Sequence, residues 1–166
     1  MSGAAHRLPA PCFDHVLALS DRHGIFEHAR GKVPRVDLGY CTDDVGRALS
    51  VVIPQASTNP QLDRLSAIYL TFLDHAVVSD GLVHNRMSSE GQWTDEPGLG
   101  DWWGRALGGL GSAARFARTA GAQSRAIRAF NRAAKTRSPH VRSAAFAAIG
   151  ACDLLRVNPE NDSVRV

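Results

Sequence analysis

Along "PQLDRLSAIYLTFLDHAV" the apolar positions Leu62, Leu65, Ile68, Tyr69, Phe72, Leu73 and Ala76 recur every three or four residues. Asp63, Arg64 and Asp74 fall on the other faces, and that period predicts an amphipathic helix. Asn59-Pro60 marks its start, because a proline in the first turn lacks only an N–H that would go unpaired there. The same period predicts five more helices. One runs from about Cys12 to Arg22, with Phe13, Val16 and Leu17 inward and Gly24 past its end. The next opens at "TDD": Thr42 is the expected N-cap, and Asp43 and Asp44 suit the positive end of the helix dipole. Its apolar face continues through Leu49 to Ile53, and Pro54 marks its end.

In "DWWGRALGGLGSAARFART" Asp101 takes the cap position, and Trp102, Ala106, Leu107, Leu110 and Ala114 supply an inner stripe. Gly104, Gly108, Gly109 and Gly111 interrupt it, each weakening a helix by about 1 kcal/mol relative to alanine. Four of them together predict close approach by a neighbouring helix or a ligand. The last two helices cover about Ala122–Thr136, with Ile127 and Phe130 inside, and about Pro139–Arg156, with Val141, Ala145, Ala148, Ile149 and Cys152 inside. No segment alternates as a strand with hairpin turns. The expectation is an all-α chain of six helices in three antiparallel hairpins.

Two long connections break this pattern. "GIFEHARGKVPRVDLGYC" and "SDGLVHNRMSSEGQWTDEPGLG" mix aromatic with charged residues, and each leads into a helix that begins with aspartate. Loops of this length without a period of their own are uncommon in compact domains and often carry function. In an array of hairpins both lie at one end, so they predict a pocket rim.

Composition narrows the classes. A chain of 166 residues with 44% hydrophobic content fits one domain, read as helical hairpins over about 12–156 with tails at 1–11 and 157–166. The N-terminal stretch has no apolar targeting segment and no run is long enough for a membrane span, so the expectation is a cytoplasmic protein without a membrane partner. Cys12, Cys41 and Cys152 are too few and too scattered for a disulfide framework. The histidines lack zinc-finger or HExxH spacing, so neither a metal nor another cofactor is expected. The net charge of +3 is unevenly distributed. Residues 1–101 carry 8 Lys/Arg against 13 Asp/Glu, whereas residues 102–152 carry 9 Lys/Arg and no acid. That basic run admits a polyanion-binding module. It has no nucleic-acid motif or interleaved aromatic set, so a solvated helix face is favoured over nucleic acid.

Both loop–helix junctions resemble a known pattern. "GIFEHARGKVP…GYCTDDVGRAL" and "VHNRMSSEGQWTDEPGLGDWWGRALGGLG" are similar to motifs of bacterial six-hairpin, (α/α)-toroid glycosidase-like domains, of the type found alongside glycosyltransferases. The resemblance covers roughly residues 13–115. It implies a toroid of inward helices with a carbohydrate at the loop rim, and it carries Asp43, Asp44, Arg47, Asn85, Asp101 and Arg105 over by motif position. The chain departs from the pattern at Val45-Gly46, where Asn-Ala is usual, and at Leu99-Gly100-Asp101, where Ser-Glu-Asp is usual. A full toroid has about six hairpins and this chain offers three, so a second chain or another copy is an expected partner, along with an oligosaccharide.

Glycoside hydrolysis needs two carboxyl groups across the scissile bond. Asp43 and Asp44 are adjacent and point apart, so the expected pair joins one of them to Asp101, Asp95 or Glu96. Arg47 and Arg105 follow aspartates by three or four residues and are expected either to pair with them or to bind substrate. His28, Tyr40, Asn85 and Trp93 complete the expected substrate contacts, with His84 as a further proton carrier. Each residue also has a plain structural reading, as helix-end acid, salt-bridge base, loop histidine or core aromatic. A non-catalytic sugar-binding or accessory domain is therefore the competing function.

Overall fold

The structure, a computed structural model, describes residues 10–164. Among these residues are six helices: α1 (Asp14–Ala18), α2 (Thr42–Val52), α3 (Pro60–Ala76), α4 (Asp101–Phe116), α5 (Ala120–Ala133) and α6 (Val141–Leu155). The loops hold two small antiparallel sheets, which sequence periodicity does not reveal because each strand has only two residues. β1 (Ala29–Arg30) pairs with β2 (Val33–Pro34), and β3 (Tyr40–Cys41) pairs with β4 (Arg86–Met87). No helix among the described residues is long and apolar enough to cross a membrane.

α3 forms as its pattern predicts. Asn59 caps it by accepting from the Gln61 amide, and Leu62, Leu65, Tyr69, Phe72, Leu73 and Ala76 are buried. α5 starts behind Thr119, whose hydroxyl accepts from the Ala122 amide. α1 is only five residues long: past Leu19 the backbone turns back, and Ser20 pairs with Ile25.

α4 is the centre of the array, with α2 against one side, α6 against another and α5 behind it. Residue numbers rise together across both flanking contacts. Asp43 of α2 meets Arg105 of α4, while Asp101, Gly104, Gly111 and Arg115 meet Arg142, Ser143, Gly150 and Asp153 of α6. α2, α4 and α6 thus run side by side in the same direction. α3 and α5 make a second row: Asp63 faces Arg118, and Asp74 is gripped by Arg125 and Arg132.

Glycine sets the spacing of the first row. A Cβ on Gly104 would lie 2.1 Å from the Ser143 carbonyl oxygen, one on Gly111 2.1 Å from that of Gly150, and one on Gly46 2.5 Å from that of Arg105. Backbones this close leave no room for a side chain between them.

This packing corrects the expectation for α6. Val141, Ala145, Ala148, Ile149 and Cys152, expected inside, are all exposed, Val141 by 86% and Ile149 by 62%. The buried residues are Ser143, Gly150 and Leu154. Close approach to α4 selects the small-residue face over most of α6, and Val141 and Ile149 are left outside while Leu154 is buried at its end. The chain beyond α6 also packs back: Asn161 is buried and donates to the Asn131 side chain (3.0 Å), and Val164 touches the core. Of the two segments read as tails, 1–9 and 165–166 lie outside the described residues.

Gly104→Ala and Gly111→Ala are each expected to lower stability in urea unfolding by about 1–3 kcal/mol or more. Gly121→Ala, where nothing lies within 4 Å of the added Cβ, is expected to raise it by up to about 1 kcal/mol. Equal effects at the three sites would contradict the packing described. A second expectation concerns Asp74. Burial pushes its carboxyl up, but hydrogen bonds from Arg132 and Arg125 outweigh that and hold it below the usual value of 3.8. An acid depressed in this way contributes stability above its unfolded pKa and loses it as pH falls through the folded value. Asp74→Asn is therefore expected to cost about 1.5–3 kcal/mol at neutral pH, with the difference from the parent closing in acid.

Candidate functional site

The two long loops meet at the start of α2. β3 runs straight into that helix, so Cys41 occupies the N-cap position and Thr42 is already helical, fully buried and not a cap. Thr42 instead ties the second loop down. Its amide donates to the Asn85 carbonyl (2.9 Å) and its hydroxyl to the His84 carbonyl (2.6 Å). Just before β3, Gly39 has φ +67° and faces the Met87 carbonyl so closely that a Cβ would lie 2.2 Å from that oxygen. Only glycine fits this junction.

The junction concentrates acids. A carboxylate oxygen of Glu27, the Cys41 sulfur and a carboxylate oxygen of Asp44 all lie within 4.8 Å of one another. Glu27 pairs with Arg86 and lies 3.6 Å from the His28 ring. Burial pushes the Asp44 carboxyl up; Arg47 pulls against this, while Asp43 and Glu27 add to it. Burial also pushes the Cys41 thiol up to about 11, and the thiol donates to the Asn85 side-chain oxygen (3.1 Å). Glu27 was not among the residues the sequence singled out, although it stands inside the "GIFEHARG" motif. Its signal is its place in a loop that must fold back onto "TDD".

Several expected residues are brought together. Asp43 lies 3.4 Å from Arg47 and 3.2 Å from Arg105, and Asp44 accepts from Arg47 at 2.6 Å. Arg47 thus pairs within its own helix, as its spacing predicts. Arg105 pairs across to α2, while Asp101, four residues before it, pairs with Arg142 of α6 (3.2 Å). Asp101 is the first residue of α4, with Gly100 in the cap position. His28 and Asn85 reach the acid cluster through Glu27 and Cys41.

Two expected contacts belong to the core instead. Tyr40 is fully buried, donates to the Asp21 carboxylate (2.7 Å) and stacks on Phe26. Trp93 stacks on His84 with ring centres 5.1 Å apart and meets Phe72 edge-on, fixing the second loop to α3. Asp95 accepts from the Asn85 and Arg86 amides (2.6 and 3.1 Å) and so shapes the loop.

As metal donors, Glu27, Cys41 and Asp44 form a set already committed elsewhere. The thiol is held protonated on Asn85, and Glu27 carries Arg86. The basic C-terminal run is similarly engaged. Arg105, Arg118, Arg125, Arg132 and Arg142 all pair with acids from the first 101 residues, and Arg115 pairs with Asp153. The charge asymmetry of the sequence therefore holds the two parts of the chain together and leaves little of that run as an unpaired basic face.

The chain matches no family model, no curated protein and no solved structure.

The raised Asp44 carboxyl has a consequence for stability. An acid raised on folding makes stability fall as pH climbs from its unfolded pKa through the folded one. Asp44→Asn removes that fall. Its advantage over the parent in urea unfolding is expected to be near zero below the ordinary aspartate range and to grow as pH rises through and above it. A constant difference would show that burial does not act on this carboxyl.

Proposed function

We propose that the chain handles a carbohydrate at the rim built by residues 25–47 and 83–105, as a glycoside hydrolase-like domain acting through Asp44 and Glu27. One observation carries the reading: a carboxyl group of the first loop and one at the start of α2 have oxygens within 4.8 Å of each other, and burial raises one of them. Retaining glycosidases hold their two carboxyl groups roughly 5–5.5 Å apart, and inverting ones roughly 6.5–9.5 Å. The short spacing favours retention. In this reading Asp44 delivers a proton to the leaving oxygen as the glycosidic bond breaks, while Glu27, paired with Arg86, forms the bond to the anomeric carbon. Water then enters with Asp44 as base. Asp43 and Asp101 hold Arg105 and Arg142 in place at the rim.

The two helix rows support the finer architecture proposed with it, part of an (α/α) toroid in which α2, α4 and α6 are inner helices and α3 and α5 outer ones. The exposed apolar face of α6 supports a further element of that reading, a second chain or second copy completing the ring.

A non-catalytic sugar-binding domain of a glycosyltransferase system is the second reading. The observation favouring it is that Glu27, Asp43 and Asp44 are all tied to arginines.

The test is NMR detection of product from a panel of oligosaccharides. Glu27→Gln and Asp44→Asn are each expected to reduce turnover by about 10²–10⁴-fold with the fold retained. Unchanged rates in both would overturn hydrolysis by this pair. Saccharide binding without product in the parent would support the second reading.

A further inference from the structure

Among the glycines of α2, α4 and α6, Gly46, Gly104, Gly109, Gly111 and Gly150 are all required by packing. A Cβ on any of them would come within 2.1–2.9 Å of a neighbouring backbone atom. Gly108 is different. Its added Cβ would meet only the Phe146 carbonyl oxygen, at 3.6 Å, an ordinary contact. A half-buried glycine in mid-helix weakens α4 without allowing closer packing. What it does provide is room. Gly108 lines a groove of about 340 Å³ over α4, walled by Val51 of α2 and by Phe146 and Ile149 of α6.

Arg105 lines the same groove. Its guanidinium carbon lies over the Phe146 ring, 3.4 Å from the ring centre, and its buried Nε lies 3.2 Å from an Asp43 carboxylate oxygen, an ion pair without hydrogen-bond geometry. The ring and the carboxylate hold the group in place, and no hydrogen bond from its terminal nitrogens to the described residues is found. A planar guanidinium held in this way presents two parallel N–H donors, the geometry that matches a carboxylate or phosphate. Charge agrees. Arg47 and Arg105 line the groove, and no acidic residue is among its lining residues.

We propose that this groove binds the oxyanion group of an acidic saccharide, a carboxylate or phosphate on a sugar ring, with Arg105 gripping the anion and Gly108 leaving space for the ring between Val51 and Ile149. The proposal names the substrate class of the rim and rests on the reading of that rim as a glycan site. Apolar walls suit the C–H faces of a pyranose, and the oriented arginine suits its charged substituent.

Calorimetric titration of the full chain tests it, with digalacturonate, glucose 6-phosphate, their neutral counterparts galactobiose and glucose, and inorganic phosphate. An acidic saccharide is expected to bind at least tenfold more tightly than its neutral counterpart, and whether digalacturonate or glucose 6-phosphate binds identifies the anion. Gly108→Leu is expected to weaken that binding at least tenfold without lowering the unfolding midpoint. Arg105→Gln is expected to weaken that binding at least tenfold as well, with partial recovery in Arg105→Lys. Ile149→Glu, at an exposed position, keeps the test decisive if either of those variants misfolds: it should weaken acidic ligands more than neutral ones. Equal affinity for acidic and neutral sugars, or inorganic phosphate binding as tightly as glucose 6-phosphate, would overturn the proposal. Turnover of neutral oligosaccharides without acidic-sugar binding would overturn this proposal and leave the carboxyl pair standing. Acidic-sugar binding that Gly108→Leu abolishes, with no turnover, would do the reverse.

Discussion

The structure depends on backbone contact at α4. Gly104 and Gly111 bring that helix against α6, and Gly109 meets the Gly46 carbonyl of α2, at distances that exclude any Cβ. Dispersion between atoms this close is individually weak and collectively large. More important here is geometry. Three helices packed backbone to backbone in one direction place their N-terminal ends side by side, which brings Asp43, Asp44 and Asp101 to one rim and draws Arg105 and Arg142 across the gaps between helices. The rim's chemistry thus follows from a stripe of residues that have no side-chain chemistry of their own.

The loops add a second constraint. Thr42 and Asn85 join the start of α2 to the second loop, and the β3–β4 pair closes the first loop over the same point. Glu27 reaches Asp44 through that closure. The aromatic residues of these loops hold them down on the core. Tyr40 and Trp93 fix loop position, and the polar residues between them form the rim.

Much of the fold was legible because α3, α4 and α5 carry their burial in plain periodicity, and Asn59 and the glycines of α4 meant what local chemistry says they mean. α6 was misread for a physical reason. Periodicity assumes that the largest apolar residues face inward, yet the neighbouring helix is so close that only Ser143 and Gly150 fit. Thr42 and Tyr40 were misassigned because their partners, His84 and Asp21, are distant in sequence or committed through a turn. Glu27 was missed for a similar reason: loop closure through a two-residue strand leaves no period to read.

The α4 contacts also bear on how this chain acquires its structure. Gly104 meets Ser143 about forty residues along the chain, and Gly109 meets Gly46 about sixty residues back. Helical proteins usually fold fast because their contacts are local. Here the closest backbone contacts join helices that are not neighbours in sequence. Closing the chain over these separations costs entropy before the contacts repay it, so this chain is expected to fold more slowly than a helical array held by neighbouring hairpins alone.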